Sequence, residues 1–149
     1  SVRGKGKSPQ KPICATKPLA ITTAAEKNAA SRATLLEDLA RIRWENEVGG
    51  VTLPDGTTLP TDQATRVSLT GAVNSLANGM MTAPVAWKFP GGWADLTQAQ
   101  IEAAAAAVVT HVQACFSAER AVQTQVEALP DPTGFDLQTA FTTALNASQ

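Results

Sequence analysis

Hydrophobic positions follow two rhythms along the chain, a helical one over long stretches and a two-residue one over short runs beside Pro/Gly turns. The first helical stretch opens on Thr23-Ala24-Ala25-Glu26, the form of a capping box, in which the threonine oxygen accepts the N3 amide and the glutamate reaches back. No Pro or Gly follows until Gly49-Gly50. Leu35, Leu36, Leu39 and Ile42 recur on one side, while Glu37, Asp38, Arg41, Arg43, Glu45 and Glu47 take the others. A second helix is predicted from about Asp62 to Ala77, with Thr61 as N-cap and Asn78-Gly79 as the stop. Gly71, in its middle, points to close approach of another element. The third helix begins at the capping box Thr97-Gln98-Ala99-Gln100 and runs free of Gly and Pro to Leu129. Ile101, Ala105, Val108, Val112, Cys115, Val122, Val126 and Leu129 form an apolar seam with Glu119 as its interruption, which predicts packing on another helix. Beyond the Pro130–Gly134 break, Asp136 is placed to cap a short helix with Leu137, Phe141 and Leu145 in one stripe.

The two-residue rhythm predicts two hairpins. Val51-Thr52-Leu53 and Thr57-Thr58-Leu59 flank Pro54-Asp55-Gly56, where the proline pre-sets φ and the glycine can supply a positive one. Val85-Ala86-Trp87-Lys88-Phe89 and Trp93-Ala94-Asp95-Leu96 flank Pro90-Gly91-Gly92, with Val85, Trp87 and Phe89 on one face and Lys88 opposite. The fold class is therefore α+β: three main helices, a small sheet from the two β-hairpins and a short C-terminal helix, preceded by an extended basic arm. The arm is assigned to residues 1–20 and a single α+β domain to residues 21–149.

Charge separates these two parts. The formal net charge of -1 is an average: residues 1–17 hold Arg3, Lys5, Lys7, Lys11 and Lys17 with no acidic group, while the rest carries seven basic and thirteen acidic side chains. A +5 arm thus precedes a -6 body. With few large aliphatics, the arm has little apolar surface to offset the cost of ordering its backbone, and a partner is expected to hold it. No run reaches the ~18 apolar residues of a membrane span, and the start has no apolar signal-like stretch. No membrane partner is expected, and synthesis in a cytoplasm is.

Candidate chemistry is thin. The chain has one histidine, no tyrosine, and two cysteines, Cys14 and Cys115, 101 positions apart, which excludes multi-histidine metal centres, zinc ribbons and CxxC redox chemistry. His111 and Cys115 stand one helical turn apart, a spacing that suits two metal ligands or a nucleophile and its base, yet no second pair closes such a site. Their expected roles are structural. Cys14, among lysines that favour its thiolate, suits either an intermolecular disulfide or an unpaired thiol. The carboxylates of the first helix read as ion-pair partners, Glu37 with Arg41 and Glu47 with Arg43. No phosphate-binding glycine motif is present, and the acidic body would repel a nucleic-acid backbone. No catalytic, cofactor or metal residue is assigned, no enzymatic activity is expected, and nucleic acid is not an expected partner. Trp87 and Trp93 are read as sheet aromatics packed in the core, with a carbohydrate or partner platform as the lesser role, and Trp44 as a cover for the sheet.

The order of several short motifs adds to this. They are Arg41-Ile42-Arg43-Trp44-Glu45, Glu47-Val48-Gly49-Gly50-Val51, Thr61-Asp62, Leu69-Thr70-Gly71-Ala72, Trp87-Lys88, Gly92-Trp93, Leu96-Thr97, and His111-Val112-Gln113-Ala114-Cys115-Phe116 followed by Glu119. From Arg43 to about Leu145 the chain resembles a small bacteriophage tail-associated domain family of uncharacterised function, found at the ends of tail-fibre proteins and as free-standing tail proteins. The resemblance implies a virion location and a structural role in a tail, baseplate or fibre attachment, and carries no catalytic residues. Ahead of the family-like part the sequence has the basic arm and the start of the first helix in place of the usual fibre shaft, and a stand-alone virion protein that docks through its arm is expected. Arg3, Lys5, Lys7, Lys11, Lys17 and Cys14 are accordingly assigned to partner binding, with other virion tail proteins and further copies of the chain as partners. A tail-fibre assembly chaperone absent from the mature virion is the alternative function, and a carbohydrate-binding module the third.

Overall fold

The computed structural model describes residues 23–149, so the arm lies outside the described residues. Helix α1, Ala24–Glu47, starts at the expected capping box: Thr23 Oγ1 accepts the Glu26 amide at 3.0 Å and Glu26 Oε1 accepts the Thr23 amide at 3.1 Å. Strands β1 (Val51–Thr52) and β2 (Thr58–Leu59) form the first hairpin, with Gly56 at φ 89° in its turn. Helix α2, Gln63–Ala77, leads to the second hairpin, β3 (Val85–Phe89) and β4 (Gly92–Leu96). Helix α3, Gln98–Ala128, starts at the Thr97/Gln100 capping box, and α4, Leu137–Ala147, starts where Asp136 accepts the Thr139 amide. The α+β class with a short C-terminal helix is thus observed, although the hairpins stay two separate two-stranded sheets rather than joining into one.

At 31 residues α3 is about 46 Å long at 1.5 Å per residue, and it runs through two cores. Its second half packs Ala118, Val122 and Val126 against Leu39 and Ile42 of α1 and Leu137 and Phe141 of α4. Its first half packs Ile101, Ala104 and Val108 against Leu59, Leu69, Ala72, Leu76 and Leu96, with Trp87 and Phe89 of β3 touching this second core. Among the described residues α3 is the one helix long and apolar enough to cross a membrane; 33% of its apolar stretch is buried, and α1, α2, α4 and the hairpins pack on it. Arg32 of α1 donates to the Leu129 carbonyl, placing a cation at the end of α3, where the unsatisfied carbonyls and the helix dipole favour one.

Four expectations are corrected in detail. Asp62, not Thr61, is the N-cap residue of α2, because the Thr61 hydroxyl is buried in contacts to the end of α1. Gly71 is exposed, and a Cβ there would meet nothing within 4 Å, so no element approaches it. Arg41 pairs with Glu45 at 3.2 Å rather than with Glu37, whereas the Arg43–Glu47 pair forms as expected. Trp93 is 71% and Trp44 56% exposed, so neither packs in a core or covers a sheet. The cause at Trp93 is register. Gly92 is a strand residue paired with Phe89, so the turn is only Pro90-Gly91, and Trp93 pairs with Lys88 on the solvent face. A turn one residue longer would have put Trp93 beside Phe89, since a one-residue slip exchanges the faces of a strand. Trp87, paired with Ala94, does face inward.

Candidate functional site

Between the two cores lies a polar junction. The last turn of α1 brings Arg43 and Glu47 to one side, and their side chains meet through Arg43 Nη1 and Glu47 Oε1 at 2.5 Å. Arg43 Nε donates to Glu119 Oε1 of α3 at 2.9 Å, and Arg66 Nη1 of α2 forms an ion pair with Glu47 Oε2 at 2.9 Å. Glu119, which broke the apolar seam of α3 in the sequence, is there to meet Arg43. Burial alone would lower the Arg43 pKa, but its hydrogen bonds to Glu119 and Glu47 and their negative charges outweigh that and raise it. The guanidinium also lies 4.6 Å from the centroid of the Phe116 ring, a cation–π contact that covers part of that half-exposed side chain.

Backbone groups join the same junction. The fully buried Thr61 hydroxyl donates to the Glu47 carbonyl at 2.7 Å and accepts the Gly50 amide at 2.8 Å, which fixes the chain as it leaves α1 for β1. Gly50 holds φ 96°, a conformation that favours glycine. His111 Nε2 donates to the Asn46 carbonyl at 2.8 Å. Its other neighbour is Cys115 Sγ at 3.8 Å, so the two residues singled out in the sequence do meet, at the edge of this junction. Cys115 is fully buried, and burial followed by the nearby Glu47 charge pushes its thiol up to about 11, against the opposing pull of Arg43. A thiol held so far above neutrality is a poor nucleophile. Among the described residues no three His, Cys, Asp or Glu side chains group as metal ligands would.

The second feature is an open cleft of about 870 Å³ beside the first half of α3. Its floor is a small-residue stripe, Ala103, Ala104, Ala106 and Ala107, running on to Thr110 and His111. Val51, Thr52 and Leu53 of the first hairpin form one wall, and Phe89, Ala94, Asp95 and Leu96 of the second form the other. Asp55, in the tip of the first hairpin, also lines it. At the far end of the second hairpin, Trp93 stands exposed with the Lys88 ammonium 5.8 Å from its ring.

The sequence model of a domain of unknown function, DUF4376, matches residues 30–145. The chain belongs to this family. The DUF4376 match takes in the polar junction and the cleft walls, and leaves residues 1–17 outside it. Comparison with curated proteins and with solved structures returns no match.

Of the assigned partner-binding residues, Arg3, Lys5, Lys7, Lys11, Cys14 and Lys17 lie outside the described residues. Trp87 and Trp93 are both in place, on opposite faces of one hairpin. Sequence reasoning missed Arg66 and Asn46 and gave Thr61 a capping role instead, because each meets its partner through a fold-level contact between different elements. It also missed the cleft that lies over the alanine run Ala103–Ala107. A run of five alanines on a helix with another apolar stripe was a signal that a second face lies open to small-residue contact.

Proposed function

We propose that this DUF4376 domain is a structural component of a bacteriophage tail, a baseplate, tail or fibre-attachment protein that holds other virion proteins through residues 1–17 and through its cleft. The observation that carries the docking reading is the cleft itself: about 870 Å³ of open, largely apolar space between two hairpins, on a helix face with no partner among the described residues. The tail context is supported by the motif order from Arg43 to Leu145. The charged side chains of the junction are engaged with one another, which suits a part that keeps its shape. Mass spectrometry of purified particles tests the reading. A structural component is present in fixed ratio to the other tail proteins, whereas absence from particles would assign the domain to fibre assembly, as a chaperone. Deleting residues 1–17 is expected to leave a folded protein that no longer enters particles.

Exposed Trp93 beside Lys88 favours a second reading, a carbohydrate-binding module, since a flat aromatic face with a nearby donor suits a sugar ring. Glycan-array binding that is lost on Trp93→Ala would favour it over the first.

A further inference from the structure

The cleft is bounded by two strand edges. Among the described residues β1 pairs only with β2 and β4 only with β3, and both β1 and β4 line the cleft. Ala94 and Leu96 belong to the inward face of their hairpin and Asp95 to the outward face, yet all three line it, so the cleft runs along the edge of β4. In an antiparallel pair alternate residues turn their N–H and C=O groups away from the partner strand, so β4 offers unpaired groups along this edge. The lining is apolar with two carboxylates, Asp55 and Asp95, and contains no lysine or arginine. The matching occupant is extended, apolar at its centre and basic at its ends.

The chain contains one such stretch outside the described residues. Lys11-Pro12-Ile13-Cys14-Ala15-Thr16-Lys17-Pro18 sets five residues with free amides between two prolines, and both prolines bias the residue before them toward extended backbone. Ile13 and Ala15 fall on one face, and Lys11 and Lys17 flank them. We propose that the cleft takes residues 11–17 of a second copy of this chain as an added strand between β1 and β4, with Lys11 and Lys17 facing Asp55 and Asp95. Main-chain hydrogen bonds to the open edges supply the attachment, and the alanine floor admits the small side chains.

The geometry decides in favour of a second copy. Asn28 of α1 donates to the Pro130 carbonyl, so the start of α1 lies beside the far end of α3. From Leu129 back to His111, the nearest cleft residue of α3, is about 27 Å of helix at 1.5 Å per residue. Lys17 is six residues from Thr23 and reaches at most about 22 Å at 3.6 Å per residue. A strand at residues 11–17 therefore falls short of its own cleft. An arm seated in the next molecule's cleft is a head-to-tail contact, which generates a ring or a filament according to the rotation it imposes.

This rests on the reading of the domain as a docking module but not on any particle, so it is tested on the purified full-length chain under reducing conditions by sedimentation velocity. Concentration-dependent association that weakens with salt is expected, and a chain that stays monomeric at high concentration overturns the proposal. Ala15→Pro, which removes a central amide of residues 11–17 and changes none of the described residues, should weaken association by more than tenfold. Asp55→Lys/Asp95→Lys should do the same, and adding Lys11→Glu/Lys17→Glu to that chain should restore it. Association indifferent to these changes places the contact elsewhere and overturns the proposal. Carbodiimide cross-links of Lys17 to Asp95 between isotopically light and heavy copies support it, and cross-links confined to single copies overturn it. Particle incorporation with a monomeric chain would leave the proposed function standing and this inference failed.

Discussion

Arg43 and Glu119 stand 76 positions apart in the chain and meet at 2.9 Å, joining α1 to α3 at the level where the two cores divide. The same guanidinium holds Glu47, and Glu47 in turn holds Arg66 of α2. Glu47 is the most buried of the four, with a side chain 9% exposed, so one carboxylate ties together the helix that ends the first core and the helix that begins the second.

Glu47→Ala is expected to be among the most damaging single changes away from the cores. It leaves the Arg66 guanidinium without its carboxylate partner. Because Arg43 keeps Glu119 and Arg66 is partly exposed, the loss should fall toward the lower end of the roughly 3–5 kcal/mol found when one partner of a buried pair is removed. Urea denaturation reads this directly, and a cost near zero would mean that the junction adds nothing to stability.

Gly71→Ala should stabilise the protein. Gly71 lies inside α2, is exposed, and has open space where a Cβ would go. Alanine avoids the backbone entropy that a mid-helix glycine loses, worth about 0.5–1 kcal/mol. The melting temperature should rise, and a fall would reveal a neighbour at this position.

Acid should loosen the turns and helix starts together. Asp55, Asp62, Asp131 and Asp136 are each held below the usual carboxylate range by hydrogen bonds from a following threonine: Thr57, Thr65, Thr133 and Thr139. Glu26 is likewise lowered, by hydrogen bonds from the backbone and side chain of Thr23, which precedes it in the capping box. A carboxyl with a lower pKa folded than unfolded adds stability that is fully present above the unfolded value, near 3.9 for aspartate, and is lost as pH falls through the folded one. The urea midpoint should therefore drop below about pH 4, and the drop should be smaller in Asp136→Ala, which has one such group fewer. A midpoint unchanged across that range would contradict the assignment.

Cys115 should be inert in the folded protein. Its thiol is fully buried and pushed up to about 11, so at pH 8 only a very small fraction is thiolate. In a Cys14→Ser background, a disulfide reagent should label Cys115 far more slowly in buffer than in denaturing urea. Equal rates would place the thiol at the surface.

Helices and turns were legible because their signals are local. Thr23 with Glu26, Thr97 with Gln100 and Asp136 with Thr139 are caps whose partners lie three residues away, so spacing alone finds them. The apolar seam of α3 was legible in outline, but its occupants shift: Ala104, Ala114 and Ala118 are buried where Ala105 and Val112 are only partly so. The two halves of α3 face different neighbours, and a single stripe drawn along the whole helix averages over them. Trp93 was misplaced by one residue of turn length, which no composition argument decides. The Thr61 and Arg66 contacts depend on where α2 comes to rest against α1, and periodicity within one element carries no information about that.

The arrangement along α3 bears on how such a domain can change over time. The chain leaves the helical bundle at Gly49 and does not return until Thr97, and everything between, both hairpins and α2, packs on the first half of α3. Leu39, Val122 and Phe141 at the other end never touch that excursion. Lengthening a hairpin or changing its edge residues need not repack them, so the α1, α3 and α4 bundle can hold its shape while the hairpins vary.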